Sequence, residues 1–170
     1  MSERLAVYPG TLDPLHYGHI DIIQRATRIF DRVIVAIYDQ RRGQKEVLFS
    51  IAERMELAQS VLAGMPEVEV ASFSGLVVEY AHRVGALALV RGLRVFSDFE
   101  YEFRMGLANK QLAPQLETVV IMSDEQHIHL SSSTIREIAE LGGDVSRMVP
   151  PAVLTALCRK YPTVSRRNEG

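Results

Sequence analysis

The stretch Tyr8-Pro9-Gly10-Thr11-Leu12-Asp13-Pro14-Leu15-His16-Tyr17-Gly18-His19 gathers a hydroxyl, two imidazoles and two glycines. Gly10 lets backbone N–H groups approach a ligand with no Cβ in the way. Thr11 adds a hydroxyl, and His19 stands where its ring can face a bound phosphate. A tight turn feeding a helix N-terminus offers free N–H groups and a favourable dipole, so the chemistry it suits is anion binding, phosphate above all. By spacing alone, His16 and His19 stay open to two other readings: two ligands of a metal, or ordinary helix-cap residues.

A second such stretch is His129-Leu130-Ser131-Ser132-Ser133-Thr134-Ile135-Arg136-Glu137. Thr134 to Glu137 fits a capping box. A plain N-cap needs one hydroxyl, whereas a run of them followed by Arg136 matches several phosphate oxygens. A third is Arg91-Gly92-Leu93-Arg94, directly after an apolar run. Arginines at the carboxyl end of a parallel strand lie where open α/β sheets place ligands, and their forks take phosphate in bidentate fashion; solvated surface arginines are the plainer alternative. Asp98-Phe99-Glu100-Tyr101-Glu102 then opens a helix whose dipole the acids complement, with Asp98 and Glu102 on a similar face. His127 and His129 would point the same way on a strand, but no third metal ligand accompanies them. Lys45 reads, from spacing alone, as a solvated loop lysine.

The elements that must position these groups follow from the apolar pattern. Short runs rich in β-branched residues at 5–8, 32–38, 68–71, 86–90 and 118–122 read as strands. Continuous runs such as Val33-Ile34-Val35-Ala36-Ile37 suit strands buried on both faces. Helical periodicity spans 19–30, with Ile22, Ile23, Ala26, Ile29 and Phe30 on one side, and recurs at 50–63, 76–84, 98–112, 134–141 and 152–160. Ser50-Ile51-Ala52-Glu53 has capping-box spacing. Alternation of strands and helices predicts an α/β fold: a doubly wound, Rossmann-like, five-stranded parallel sheet in a single domain over 1–162, followed by a polar tail, 163–170.

The bulk properties narrow the classes. A chain of 170 residues is the size of one domain, and 47% hydrophobic residues suffice for a real core. With 19 Lys and Arg against 21 Asp and Glu, it lacks the basic excess of a general nucleic-acid binder. Cys158 is the single cysteine, which rules out an internal disulfide and reads as filler in the last helix. No apolar run reaches ~18 residues, so no spanning helix is expected. No signal-peptide pattern opens the chain, and the expected address is cytoplasmic.

Taken together these motifs resemble the HxGH nucleotidyltransferase superfamily and, within it, the bacterial phosphopantetheine adenylyltransferases. The resemblance runs from about Arg4 to Lys160 and rests on YPGTLDPLHYGHIDII, RGLRVFSDFEYE and LSSSTIREIAELGGDVSRMVP. The central block is the specific part. Two departures stand out: His16 occupies a place where that family usually has Thr, and the loop before Lys45 lacks the common Asn-Pro.

The resemblance implies a reaction: ATP and 4′-phosphopantetheine give dephospho-coenzyme A and pyrophosphate, the penultimate step of coenzyme A synthesis. By motif, Thr11, His19, Lys45 and Arg94 would be catalytic. The ATP site would comprise Gly10, Thr11, Gly18, His19, Arg94, Glu102, Ser131, Ser132 and Ser133. The phosphopantetheine site would comprise Thr11, Lys45, Leu76, Val77, Arg91, Asn109 and Glu137, with Arg42 an alternative to Lys45. Mg²⁺ is expected to arrive with ATP rather than in a protein-held metal site. Direct in-line displacement with inversion at the α-phosphorus is expected. The family also implies a homohexamer, with candidate contacts around Leu107 to Leu112, and feedback binding of coenzyme A. Neither nucleic acid nor membrane is an expected partner. The alternatives are another small-molecule nucleotidyltransferase, such as one acting on nicotinamide mononucleotide, or a non-catalytic nucleotide sensor on the same fold.

Overall fold

Alternate residues of each strand face opposite sides of the sheet, and in this chain both sides are apolar. The computed structural model describes residues 3–39 and 47–162. Its sheet comprises β1 (Leu5–Gly10), β2 (Arg32–Tyr38), β3 (Val68–Phe73), β4 (Ala88–Leu93) and β5 (Glu117–Met122). All pairings are parallel, in the order β3-β2-β1-β4-β5. Ala6, Tyr8, Val33, Val35, Ile37 and Val90 face one core; Leu5, Val7, Ile34, Ala36 and Leu89 face the other. Sheets buried on both faces require helices on both, which the crossover connections supply.

The first core is closed by α1 (Tyr17–Ala26), α2 (Ile51–Leu62), α5 (Ser132–Glu140) and α6 (Pro151–Lys160); α3 (Val77–Arg83) packs on the second, and α4 (Phe96–Leu112) lies along β4 and β5. The doubly wound five-stranded architecture expected from the alternation is therefore the one observed. Ser50 and Glu53 form the capping box that starts α2: Glu53 N donates to Ser50 Oγ at 3.2 Å, and Ser50 N to Glu53 Oε2 at 2.7 Å. Cys158 sits on α6, packed against the first core.

Four local expectations are corrected. The first helix stops at Ala26; Phe30 is buried from the turn that follows, its N–H still donating to the Ala26 carbonyl at 2.9 Å, and Ile29 is exposed. α5 starts at Ser132 with Ser131 as N-cap, because the Ser131 hydroxyl accepts the Thr134 N–H; the expected box between Thr134 and Glu137 is displaced. β4 continues through Arg91 to Leu93 because β5 continues beside it, pairing Arg91 with Val120 and Leu93 with Met122. Residues Glu125–His127 form a 3-10 turn, so His127 and His129 do not alternate on a strand.

Candidate active site

The strand order reverses between β1 and β4, and open α/β sheets bind ligands in the crevice beyond the strand ends at that point. A cleft of about 380 Å³ lies there. That size suits a small molecule. Every residue expected at the ATP site lines it: Gly10, Thr11, Gly18, His19, Arg94, Glu102 and Ser131 to Ser133. A second cavity of about 570 Å³ carries Thr11, Leu76, Val77, Arg91 and Asn109. The two share a wall made of Pro9, Gly10, Thr11, Arg91, Tyr101 and Glu102. Thr11 therefore stands between a polar cleft rich in arginine and hydroxyls and a more apolar one.

Two buried charged side chains hold the first turn. Asp13, 2% exposed, accepts from the N–H groups of Leu48 at 2.8 Å and Phe49 at 2.9 Å, and pairs with Arg136 at 3.3 Å. Arg54, 3% exposed, donates to the carbonyls of Thr11 at 2.8 Å, Tyr38 at 2.9 Å and Phe49 at 3.1 Å. Each ion is buried with its hydrogen bonds made, the condition under which a buried charge is tolerated. Between them Leu12 adopts a left-handed conformation at φ 49°, which a branched side chain disfavours and this surrounding network enforces.

The histidines divide their roles. His16 is the N-cap of α1, as one of the readings of the spacing had it: Gly18 N donates to its Nδ1 at 3.1 Å. Its backbone N–H donates to His19 Nδ1 at 3.2 Å, and the two rings stack with centroids 3.7 Å apart. A Cβ at Gly18 would lie 3.0 Å from the His16 ring, so glycine there makes room for the cap. Burial is the main force that pulls the His16 pKa down to about 3, with Arg94 and His127 adding to it. Burial, then His16, Arg94 and Arg91, depress His19 well below its ordinary value. A neutral imidazole whose Nδ1 accepts carries its proton on Nε2. His19 thus keeps one N–H free to serve as a donor in the cleft.

The arginines are fixed by acids one helix away. Arg91 grips Glu102 at 2.9 and 2.7 Å and donates to the Pro9 carbonyl at 3.0 Å. Arg94 reaches Asp98 at 3.0 and 3.2 Å and the Leu130 carbonyl at 2.7 Å. A guanidinium has five N–H donors, so each retains donors for a ligand. In the serine run, Ser131 caps, Ser132 Oγ donates to the Pro14 carbonyl at 2.9 Å, and Ser133 is exposed at the cleft. Ser132 therefore ties α5 to the first turn.

One expected residue lies elsewhere. Glu137 is exposed on α5 and lines neither cavity, because that helix turns Ile135 and Ala139 into the core and Ser133 and Arg136 towards the cleft. Lys45, its neighbour Arg42 and the tail 163–170 fall outside the described residues. Asp13 and Arg54, by contrast, were not foreseen. Their partners are backbone groups distant in the chain, and no motif announces them. Among the described residues, no group of three or more His, Cys, Asp and Glu side chains could hold a metal ion. No helix among them is long and apolar enough to cross a membrane.

The chain matches the cytidylyltransferase-like family over residues 7–138. It is 51% identical to the phosphopantetheine adenylyltransferase of Chloroflexus aurantiacus over 158 residues, covering 93% of this chain and 97% of that one. With the enzyme of the same name from Alkalilimnicola ehrlichii it shares 48% identity over 98% of this chain and 95% of that one. With that of Thermomicrobium roseum it shares 49%, over 98% and 99%. The chain belongs to the phosphopantetheine adenylyltransferase family.

The fold expected from the resemblance is thus the one observed, in a chain whose matches to those relatives cover 93–98% of it. His16 stands at the position where the resemblance led to an expectation of Thr. His16 Nδ1 accepts the Gly18 N–H, the kind of capping contact that a threonine hydroxyl also makes at helix N-termini.

Proposed function

We propose that this chain transfers the adenylyl group of ATP to 4′-phosphopantetheine, giving dephospho-coenzyme A and pyrophosphate. The observation that carries the reading is the wall shared by the two cavities, which brings a phosphate-binding cleft and a more apolar slot together at Thr11. ATP lies in the first with its α-phosphorus at the shared wall; the pantetheine arm lies in the second along Leu76, Val77 and Asn109.

The attacking phosphate needs no base, since a phosphate monoester with a second pKa near ~6 is mostly dianionic at neutral pH. One of its oxygens forms a bond to the α-phosphorus as the bond to the bridging oxygen of the β-phosphate breaks, and that electron pair leaves with pyrophosphate. The displacement is in line, with inversion and no covalent enzyme intermediate. What the protein supplies is alignment of two anions and preorganised donors. His19 Nε2–H and the Thr11 turn face the charge that develops on the α-phosphate. Arg94 and Ser131 to Ser133 meet the β- and γ-phosphates, and Glu102 meets the ribose. Arg91 serves the acceptor side. Lys45, by resemblance, holds the attacking phosphate; Glu137, lining neither cavity, has no part in this reading.

The donor set fits Mg²⁺ only as a partner of the triphosphate. Among the described residues lining the cleft, the carboxylates of Asp13, Asp98 and Glu102 are each engaged by arginine. When bound with ATP the ion neutralises phosphate charge.

The family resemblance extends the proposal to a cytoplasmic homohexamer with feedback binding of coenzyme A through the pantetheine slot. Its support is the exposed apolar face of α4 and β5, where Phe103, Leu107 and Met122 are more than half exposed, at 56%, 55% and 72%. The substrate assignment is tested by pyrophosphate release from Mg·ATP with 4′-phosphopantetheine, nicotinamide mononucleotide or glycerol 3-phosphate. Release with the first alone is expected. Release with another acceptor instead would discard the substrate and keep the chemistry; no release with any would favour a sensor.

A further inference from the structure

One buried polar group lining the cleft takes no part in the contacts that hold the histidines and arginines. Tyr8, on β1 two residues before Gly10, is 6% exposed and lines the nucleotide cleft. Its hydroxyl makes no hydrogen bond among the described residues. Buried tyrosine hydroxyls almost always find a partner, and an orphaned one costs its desolvation. The ring is held edge-on to His19 with centroids 6.4 Å apart. The charges of Arg91, Glu102 and Arg94 all act on the hydroxyl, which places it on the side of the strand where the arginines converge.

We propose that the Tyr8 hydroxyl is a further nucleotide-binding group, donating a hydrogen bond to a phosphate oxygen of bound ATP beside His19. The inference rests on the nucleotidyltransferase reading. Two arginines make an anionic oxygen the ligand atom this part of the cleft collects. Burial pushes the phenol up to about 12, against the opposing pull of Arg91 and with a smaller push from Glu102, so the group keeps its proton and can only donate or accept as a neutral hydroxyl. A purely structural Tyr8 would need no hydroxyl at all, since the ring alone fills the core.

Tyr8→Phe separates these roles, because it keeps the ring contact with His19 and removes one oxygen. Mg·ATP and adenosine binding are measured for wild type and variant by titration calorimetry, with the thermal midpoint and the KM for ATP alongside. A hydrogen bond to a charged acceptor corresponds to roughly tenfold or more in affinity. The expected result is Mg·ATP binding and KM weakened by about tenfold, adenosine binding unchanged, and a thermal midpoint equal to or above wild type. Equal weakening for both ligands would move the contact to the ribose and overturn the assignment; no weakening for either would make Tyr8 structural. Wild-type protein that binds neither ligand would instead overturn the parent reading.

Discussion

Arg91 holds both carboxylate oxygens of Glu102, at 2.9 and 2.7 Å, on the wall that separates the two cavities. The pair links the residue expected to serve the acceptor with the one expected to serve the ribose, so neither can be altered alone. Glu102 is 8% exposed and the Arg91 side chain 31%, so removing the carboxylate leaves a part-buried guanidinium without its ion-pair partner. Glu102→Ala is expected to destabilise the fold by about 1–2 kcal/mol in urea unfolding and to raise KM for both substrates. A variant with wild-type stability, or with only the ATP constant changed, would contradict the coupling.

Acid stability should report the stacked pair of histidines, His16 and His19. His16 is held down to about 3, chiefly by burial, whereas in an unfolded chain histidine titrates near ~6.5. Between those values the unfolded state binds the extra proton, so stability is full above ~6.5 and drains as pH falls towards 3. His19 shifts in the same direction. His16→Asn keeps a capping acceptor and removes one titrating group. Urea midpoints measured from pH 7 to 5 should fall less steeply in the variant, by up to about one proton's worth of slope. Equal slopes would mean that His16 does not resist protonation in the fold.

The serine run can be divided by substitution. Ser131 caps α5, so Ser131→Ala should cost about 1 kcal/mol, or roughly 2–4 °C in Tm for a domain of this size. Ser133 is exposed at the cleft and caps nothing, so Ser133→Ala should leave Tm unchanged and raise KM for ATP. The reverse pattern would exchange their roles.

The exposed apolar face of α4 is where the proposed assembly can be tested. Phe103→Glu places a charge on it without touching either core. Light scattering should show wild type as an assembly and the variant as smaller species; an unchanged mass would remove this face from the interface.

These residues also show what a sequence reveals. The strand Arg32–Tyr38 is legible to the residue because it is apolar on both faces. The end of α1 is not, since Phe30 continues the apolar period after the backbone has left the helix. Gly10, Thr11, His19 and the arginines are legible by type, and the topology puts them in one cleft. Asp13 and Arg54 are not, because they bind backbone groups 35, 36 and 43 residues away and carry no local signature. Tyr8 looks like any apolar strand residue until its hydroxyl is found buried without a partner.

In the proposed reaction His19, neutral and with its Nε2–H free, stabilises charge at the α-phosphate rather than merely binding ATP. The most direct measurement is a rapid-quench single turnover with radiolabelled ATP, saturating Mg²⁺ and 4′-phosphopantetheine, comparing wild type with His19→Ala. Loss of one preorganised donor is expected to slow dephospho-coenzyme A formation by about 10²–10³, with ATP affinity changed by only a few-fold and the fold intact by circular dichroism. Turnover within a few-fold of wild type, or a loss confined to ATP affinity, would contradict it.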